Sequence, residues 1–320
     1  MTSASDSPRR GNPAGAQALP PMGYVLLGSL TLFWGLNWPT MKIVLDEMPV
    51  WTFRSLCLIA GGGALLIVAR LSGRSLRVPT SEIWPLIVCA VFNIVGWHLF
   101  SGYGVSLIES GRAAIIAFTM PVWAAVLGWF MLGERLTRTA LIGLALGVIG
   151  LAVLMGSDLA HLGTAPLGAL FMLGAAVSWA AGTVLMKRYT WSIPVGVLAG
   201  WQLLIGAVPV TIGAVVIDPL TNPLAMSGTA LAALVYVLTM PMAFCHWAWF
   251  AVVRLFPAAI AAAGTLAIPV VGVLSGVIML GEPLGWREVS ALVLVCAALV
   301  FVLLIPAWRG SARKGAQIKR

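Results

Sequence analysis

The sequence predicts an all-α membrane protein with ten transmembrane helices, arranged as two inverted five-helix repeats. Three observations predict it: an apolar composition, ten long apolar blocks, and a second half that repeats the first. Of the 320 residues, 60% are hydrophobic and 9% are charged, and the mean hydropathy is +1.01. A soluble domain carries about 25% charged residues. A water-soluble globular protein is therefore excluded.

The apolar residues form uninterrupted blocks of about 20, the length that a helix needs to cross the hydrocarbon core of a bilayer. Polar stretches such as LSGRSLRVPT separate them. The predicted spans are 22–45, 50–70, 82–106, 111–132, 138–156, 165–186, 193–216, 229–252, 257–280 and 286–305. Residues 1–21 are predicted to form a flexible tail, and residues 306–320 a basic tail.

The Lys and Arg side chains are distributed unevenly between alternate connections. With ten spans, 15 of the 19 fall on one side of the membrane; Lys42, Arg54, Arg112 and Arg287 fall on the other. Cytoplasmic loops are enriched in Lys and Arg, so both termini are predicted to be cytoplasmic, in a bacterial inner membrane. Topology and attraction to anionic lipid headgroups then explain the net charge of +9 without nucleic acid as a partner.

The second half of the sequence repeats the first at a nearly constant offset, 148 residues for most of the length and 145 for span 1. The coinciding residues are His98 with His246, Pro121 with Pro269, Glu134 with Glu282, Trp34 with Trp179, and Lys42 with Lys187. The repeats 22–156 and 165–305 hold five spans each, an odd number, so the second must be inverted. Inverted repeats are a recurring basis of alternating access. This predicts a carrier rather than a channel or an enzyme.

Several short motifs carry a resemblance to a known family: FWGLNW in span 1, SWAAG in span 6, FR at the start of span 2, WQ at the start of span 7, and MLGE at the ends of spans 4 and 9. By these motifs the chain, from about residue 22 to 305, resembles EamA-type members of the drug/metabolite transporter superfamily. The resemblance implies a ten-helix inverted repeat with a central cavity, and export of amino acids or other metabolites.

Polar and aromatic residues inside the spans are the candidates for substrate binding, because polar groups are costly in a bilayer and are usually functional. They are Trp34, Asn37, Trp38, Lys42, Arg54, Asn93, His98, Tyr103, Trp179, Gln202, Tyr236, His246 and Trp249. Trp34, Trp38 and Lys42 recur every four residues and share one helical face. Anchoring at the membrane interface, with Lys42 snorkelling towards the headgroups, is the alternative for the last two.

Arg54 begins span 2 just inside the predicted outer boundary. Its guanidinium suits a substrate carboxylate. Pairing with Asp46, Glu47 or Glu109 to close an outer gate is an equally good interpretation.

His98 and His246 can bind a carboxylate or accept a proton near neutral pH. Hydrogen bonding to a neighbouring helix explains each of them equally well. Pro39, Pro121 and Pro269 interrupt the backbone hydrogen bonding of spans 1, 4 and 9, and these positions are predicted hinges for alternating access.

No Asp or Glu lies deep in a predicted span, which disfavours organic cations as substrates. Aromatic and cationic candidates favour a zwitterion or anion with an apolar part, such as an amino acid. The predicted function is therefore an inner-membrane carrier that exports a small metabolite. A flippase, or a carrier for a lipid-like amphiphile or drug, is the alternative.

Neither a cofactor nor a metal site is predicted. The chain has three His residues and no intramembrane acid, and its four Cys lie in apolar blocks without a CxxC pair. Clustered carboxylates or a Ser/His pair of the kind an enzyme needs do not occur at suitable spacing. Because two fused repeats supply both halves of a cavity, we expect a monomer in contact with membrane lipids.

Overall fold

The computed structural model describes residues 21–156, 164–219, 221–256 and 264–306, and these ranges form helices and loops without a β-strand. Within them, eight helices are long and apolar enough to cross a membrane: Val50–Leu71, Thr80–Leu107, Ser110–Leu132, Arg138–Met155, Pro166–Arg188, Val195–Val216, Gly228–Trp249 and Trp286–Leu304. The protein is thus an all-helical, multi-pass membrane protein. Most of both predicted tails and the start of predicted span 9 lie outside the described residues.

The α-helices are labelled in chain order. They are α1 Pro21–Leu45, α2 Val50–Leu71, α3 Thr80–Ala90, α4 Trp97–Leu107, α5 Ser110–Ala117, α6 Met120–Leu132, α7 Arg138–Met155, α8 Thr164–Arg188, α9 Val195–Val216, α10 Gly228–Thr239, α11 His246–Leu255, α12 Ala267–Leu280 and α13 Trp286–Leu299.

Several predicted spans are not continuous α-helices. A π-helical turn, Val91–Gly96, joins α3 to α4, and a second, Met240–Cys245, joins α10 to α11; a third, Val300–Leu304, extends α13. Helices α5 and α6 are separated by a short turn just before Pro121. Proline has no backbone N–H, so it cannot donate the hydrogen bond that would continue the preceding helix. The sequence analysis did not predict the π-helical turns.

The two MLGE motifs end α6 and α12 in the same way. Gly133 and Gly281 both have φ of 66°, a left-handed conformation that glycine adopts without steric cost. The amide of the following glutamate then donates back to the helix, from Glu134 to the Gly128 carbonyl and from Glu282 to the Gly276 carbonyl, each at 3.3 Å. This turn directs each glutamate back along the last turn of its own helix.

Helices α2 and α9 pack antiparallel along their length. Ser55 Oγ lies 2.7 Å from Thr211 Oγ1, whereas Leu66, three turns further along α2, fills the space beside Gly200 near the start of α9. Small residues allow this close approach of two membrane helices.

Contacts between loops define two ends of the molecule. At one end, Asp218 accepts a hydrogen bond from the Thr52 amide (2.7 Å), and Glu47 accepts one from the Ser227 amide (2.7 Å). The bonds from Ser227 lower the pKa of the exposed Glu47 carboxyl below its ordinary value. We call this the acidic end.

The opposite end carries most of the Arg and Lys residues of the described loops, so we call it the basic end. There Glu82 accepts a hydrogen bond from the Ser192 amide (3.0 Å), and Trp201 Nε1 donates to the Leu76 carbonyl (2.9 Å). These bonds attach the start of α3 and the preceding loop to the α8–α9 connection and to α9.

Candidate functional site

Arg54 is a buried cation within the helical bundle. It lies in the second turn of α2 and is 4% exposed. Its Nη2 lies 2.8 Å from both Ser101 Oγ and Met41 Sδ, and its Nε has no hydrogen-bond partner. A charged group in a bilayer is costly unless it is paired. The guanidinium is therefore available to an anion.

Two of the three acidic residues considered as gate partners of Arg54 make other contacts. Glu47 is hydrogen-bonded at the start of α10, and Glu109 Oε2 lies 3.8 Å from Arg112 Nη1. Asp46 lines a surface pocket at the acidic end. Within the described ranges, no carboxylate oxygen lies within 4 Å of Arg54. A gate closed by an Arg54 ion pair is not formed in this structure, and the binding role of Arg54 stays a prediction.

His98 is buried on α4, one turn before the serine that contacts Arg54. Its Nδ1 lies 2.9 Å from the Ile94 carbonyl in the π-helical turn. A carbonyl oxygen only accepts, so Nδ1 donates this bond, and in the neutral imidazole Nε2 is the accepting nitrogen. Asn37 lies one turn before Met41 on α1, and its Oδ1 is buried without a hydrogen-bond partner. Polar groups of α1, α2 and α4 therefore converge in one region.

An aromatic cluster joins α1 to α10 and α11. The Trp34 ring lies 5.8 Å from the His246 ring and 6.2 Å from the Trp249 ring. Trp34 Nε1 and His246 Nδ1 both bond the Pro241 carbonyl, at 3.3 and 2.9 Å. Tyr236 contributes from α10, where its hydroxyl donates to the Phe33 carbonyl (3.0 Å). The structure thus brings four of the predicted residues together.

A third group of predicted residues surrounds α8. Asn93 Nδ2 donates to Gln202 Oε1 (3.3 Å), and Gln202 Nε2 lies 3.0 Å from Met186 Sδ. Asn93 Oδ1 is buried without a partner. The Trp179 ring packs 5.2 Å from the Trp97 ring.

Lys42, Trp38 and Tyr103 have their polar or aromatic groups engaged elsewhere. Lys42 Nζ donates to two carbonyls at the end of α4. Trp38 is buried against Gly272 of α12, and the Tyr103 hydroxyl accepts a hydrogen bond from Trp51 Nε1 (2.8 Å). These side chains lie near the acidic end, where Lys42 also lines a pocket of about 380 Å³.

The predicted hinge prolines occupy three different positions. Pro39 lies inside α1, Pro121 is the second residue of α6, and Pro269 is the third residue of α12. Their role as hinges stays a prediction.

The π-helical turns are the part of the site that the sequence analysis missed. A π-helix changes the backbone hydrogen-bond pattern, and such turns often occur at functional sites. Here the Phe92 carbonyl accepts a hydrogen bond from Ser178 Oγ (2.8 Å), and the Pro241 carbonyl accepts from two side chains. The first two turns also directly precede the helix segments that carry His98 and His246, respectively. No residue motif in the sequence signals this geometry.

Metal binding finds no support in the described ranges, where no group of three or more His, Cys, Asp or Glu side chains is arranged to hold an ion. His161 lies outside these ranges. The four cysteines are free thiols.

The model of the EamA-like transporter family matches the chain twice, over residues 21–156 and 166–304. The uncharacterised transporter YvbV of Bacillus subtilis is 31% identical over 282 residues, which cover 87% of this chain and 90% of that protein. A probable amino-acid metabolite efflux pump of Salmonella typhimurium is 27% identical over 292 residues, which cover 84% of this chain and 91% of the pump.

The uncharacterised inner membrane transporter YedA of Escherichia coli is 27% identical over 294 residues, or 90% of this chain and 92% of that protein. One solved crystal structure shares the fold, with a TM-score of 0.63 at 22% identity over 89% of this chain and 97% of that one. The chain therefore belongs to the EamA-like transporter family, and it is a membrane transporter rather than an enzyme.

Proposed function

We propose that this transporter exports a small metabolite that carries a carboxylate, an amino acid or a related zwitterion or anion, by alternating access. Arg54 is the observation that carries the proposal. Its guanidinium is buried, lacks a carboxylate partner among the described residues and keeps its Nε unbonded. A planar guanidinium matches the two oxygens of a carboxylate.

The aromatic cluster supports a substrate with an apolar part. Trp34, His246 and Trp249 present ring surfaces in the same molecule that buries Arg54. Tryptophan faces cover apolar groups while leaving polar groups to hydrogen-bond. The relative named as a probable amino-acid metabolite efflux pump also favours an amino acid over a cationic drug.

The burial pattern disfavours organic cations as substrates. In the described helices the one buried carboxylate is that of Glu82, which lies in the first turn of α3 at the basic end and is bonded to Ser192. A carrier of organic cations would instead be expected to hold a carboxylate near the bilayer centre.

Alternating access in this proposal follows from two inverted five-helix repeats, 22–156 and 165–305, around a central cavity. Equivalent positions have equivalent structure: the π-helical turns Val91–Gly96 and Met240–Cys245, and the glycine turns that end α6 and α12. Arg54 contacts Met41 just as its counterpart Gln202 contacts Met186. The antiparallel packing of α2 and α9, the second helices of the two halves, also supports inversion.

The same proposal places the basic end and both termini in the cytoplasm of a bacterium, with the acidic end outside the inner membrane. It includes a monomer surrounded by lipid, with no nucleic acid as a partner. His98 and His246 are the residues through which a proton would couple to exchange, if transport is not facilitated diffusion.

The test is counterflow in proteoliposomes that contain the wild-type protein. Vesicles are preloaded in turn with aromatic, small neutral and basic amino acids, and in parallel with the amines formed by removing the carboxylate. We expect uptake for an amino-acid class and none for its decarboxylated amine. Asn37→Ala and His98→Ala are expected to reduce this uptake.

Equal counterflow of an amino acid and its amine would contradict a carboxylate site. Absence of counterflow for all these compounds, together with movement of a fluorescent lipid between leaflets, would instead support the flippase alternative.

A further inference from the structure

The connection between α4 and α5 is held from two sides at the acidic end. Lys42 Nζ of α1 donates to the Ser106 carbonyl (3.0 Å) and the Ile108 carbonyl (3.3 Å) at the end of α4. The C-terminus of a helix carries partial negative charge and unsatisfied carbonyls, which a cation stabilises. In the described part of the chain, Lys42 forms no ion pair.

Glu282, which follows α12, binds the other side of this connection. Its Oε1 accepts a hydrogen bond from the Ser110 amide (2.6 Å), and its Oε2 accepts one from the Gly111 amide (2.9 Å). These amides belong to the first turn of α5, where partial positive charge stabilises an anion. We call Lys42, Glu282 and the 106–111 backbone the outer latch.

The space for the Glu282 carboxylate is built by glycine. A Cβ on Gly276 would clash with Glu282 Oε2 and would lie 2.9 Å from Ser110 Oγ. A Cβ on Gly111 would lie 3.3 Å from the same carboxylate oxygen. Any larger residue at Gly276 would therefore displace the carboxylate from the start of α5.

The equivalent pair at the basic end is arranged differently. Lys187 and Glu134, the sequence counterparts of Lys42 and Glu282, lie 3.6 Å apart and form an ion pair with each other. Both side chains are about half exposed, at 60% and 49%. Lys42 and Glu282 thus both bind the α4–α5 connection, whereas Lys187 and Glu134 form an ion pair with each other.

Contacts that hold the loops at the two ends do not differ in this way. A carboxylate accepts a hydrogen bond from a serine amide at both, Glu47 from Ser227 and Glu82 from Ser192. The two ends therefore share this type of contact, whereas their Lys–Glu pairs are bonded differently.

We infer that the outer latch closes the substrate path at the acidic end, and that it opens when Lys42 and Glu282 leave the 106–111 backbone and pair with each other. The inference rests on the proposed alternating access. An ion pair like that of Lys187 with Glu134 would then compensate the charges of Lys42 and Glu282 after they leave the backbone. The closed and open arrangements can then be close in free energy, which a reversible gate requires.

The test measures access to Cys57, which is fully buried and lies three residues after Arg54 on α2. The other three cysteines, Cys89, Cys245 and Cys296, are replaced by alanine. A membrane-impermeant methanethiosulfonate reagent is added to the outside of right-side-out vesicles that hold the full chain. Glu282→Gln is compared with its matched control Glu134→Gln, and Gly276→Ala with Gly128→Ala.

Displacement of the Glu282 carboxylate from its charge-assisted hydrogen bonds is expected to make labelling of Cys57 about tenfold faster in Gly276→Ala, which keeps Glu282 for the open pair. Glu282→Gln removes both the closed contacts and the open pair, so its labelling rate is expected to rise less than that of Gly276→Ala. The controls Glu134→Gln and Gly128→Ala are expected to label at the wild-type rate. A wild-type rate in Gly276→Ala would overturn the inference, and so would equal acceleration in its matched control Gly128→Ala. Gly276→Ala decides the question if Glu282→Gln does not fold.

The counterflow experiment tests the proposed function separately from the outer latch. Labelling needs no substrate, so absence of carboxylate counterflow in the same vesicles leaves the labelling result unchanged.

Discussion

Arg54 combines a buried guanidinium with neutral partners, among them the Phe53 ring, whose centroid lies 5.1 Å from Arg54 Cζ. Ser101 and Met41 contact one nitrogen, and neither carries a charge that would compensate its desolvation. A neutral side chain of similar size would cost less free energy to bury. Replacement of Arg54 therefore distinguishes a stabilising role from a binding role.

We expect Arg54→Gln to lower amino-acid counterflow by about tenfold to a hundredfold, the value of a hydrogen-bonded charge pair with substrate. The thermal midpoint in detergent is expected to stay the same or rise, because a desolvated charge is removed. Arg54→Lys keeps the charge and is expected to retain part of the transport, since an ammonium cannot bind a carboxylate with two parallel bonds.

A structural role would give a different pattern. If Arg54→Gln lowered the thermal midpoint while the protein that stayed folded transported at the wild-type rate, the binding role would be wrong.

At the scale of single residues, the sequence identified which side chains are unusual in a membrane but not what they contact. Arg54, Lys42 and His98 stood out because charged or titratable groups are rare within spans. Their partners depend on tertiary distances: Lys42 bonds to backbone carbonyls of α4, and backbone groups have no sequence signature. The Asn93–Gln202 bond likewise joins residues 109 positions apart.

At the scale of elements, close approach between α8 and the first π-helical turn explains the SWAAG motif. Ser178 Oγ satisfies the Phe92 carbonyl, and one helical turn later Gly182 lies directly against Asn93. A Cβ on Gly182 would lie 2.8 Å from the Asn93 backbone nitrogen and would also clash with its side chain. The glycine is therefore required by the approach of the two backbones.

Gly182→Ala is expected to destabilise the protein by about 1–3 kcal/mol, because a backbone atom cannot move aside as a flexible side chain can. The matched control is Gly63→Ala in α2, where a Cβ would meet nothing within 4 Å. There alanine is expected to be neutral or to stabilise the helix by up to about 1 kcal/mol. Thermal unfolding followed by fluorescence-detected size-exclusion chromatography compares the two variants.

Equal thermal midpoints for Gly182→Ala and Gly63→Ala would show that α8 can move away from α3 and α4 at little cost. The explanation of the motif by close backbone approach would then be wrong.

Helix ends were predictable wherever a polar stretch separates two apolar blocks. Predicted span 2, 50–70, is observed as Val50–Leu71, and span 5, 138–156, as Arg138–Met155. The π-helical turns were not predictable, because adding one residue to a turn leaves the length and overall hydropathy of a span almost unchanged. The α5–α6 break was foreseen only as a kink at Pro121, since proline constrains the preceding turn without fixing its geometry.

At the scale of the whole molecule, the two ends differ in charge. The proposed inversion of the two repeats accounts for this difference. The acidic end binds its carboxylates to backbone amides at helix starts, whereas the basic end leaves Arg74 and Arg77 exposed. An electrical asymmetry of this kind orients a membrane protein during insertion. If the two halves are inverted as proposed, their equivalent loops lie on opposite sides of the membrane and are expected to differ in charge.

The α2–α3 and α9–α10 loops test this directly, because a shift of 148 residues makes them equivalent. Single cysteines at the exposed positions Ser75 and Ala225, in the background without native cysteines, report which side each loop faces. In intact cells, an impermeant maleimide is expected to label Ala225→Cys readily, and Ser75→Cys only after the membrane is permeabilised. Labelling of both from the same side would mean that the halves are parallel, and it would remove the basis for exchange between outward-open and inward-open states. Labelling of Ser75→Cys alone in intact cells would keep the inversion but reverse the orientation, so that the outer latch would lie in the cytoplasm.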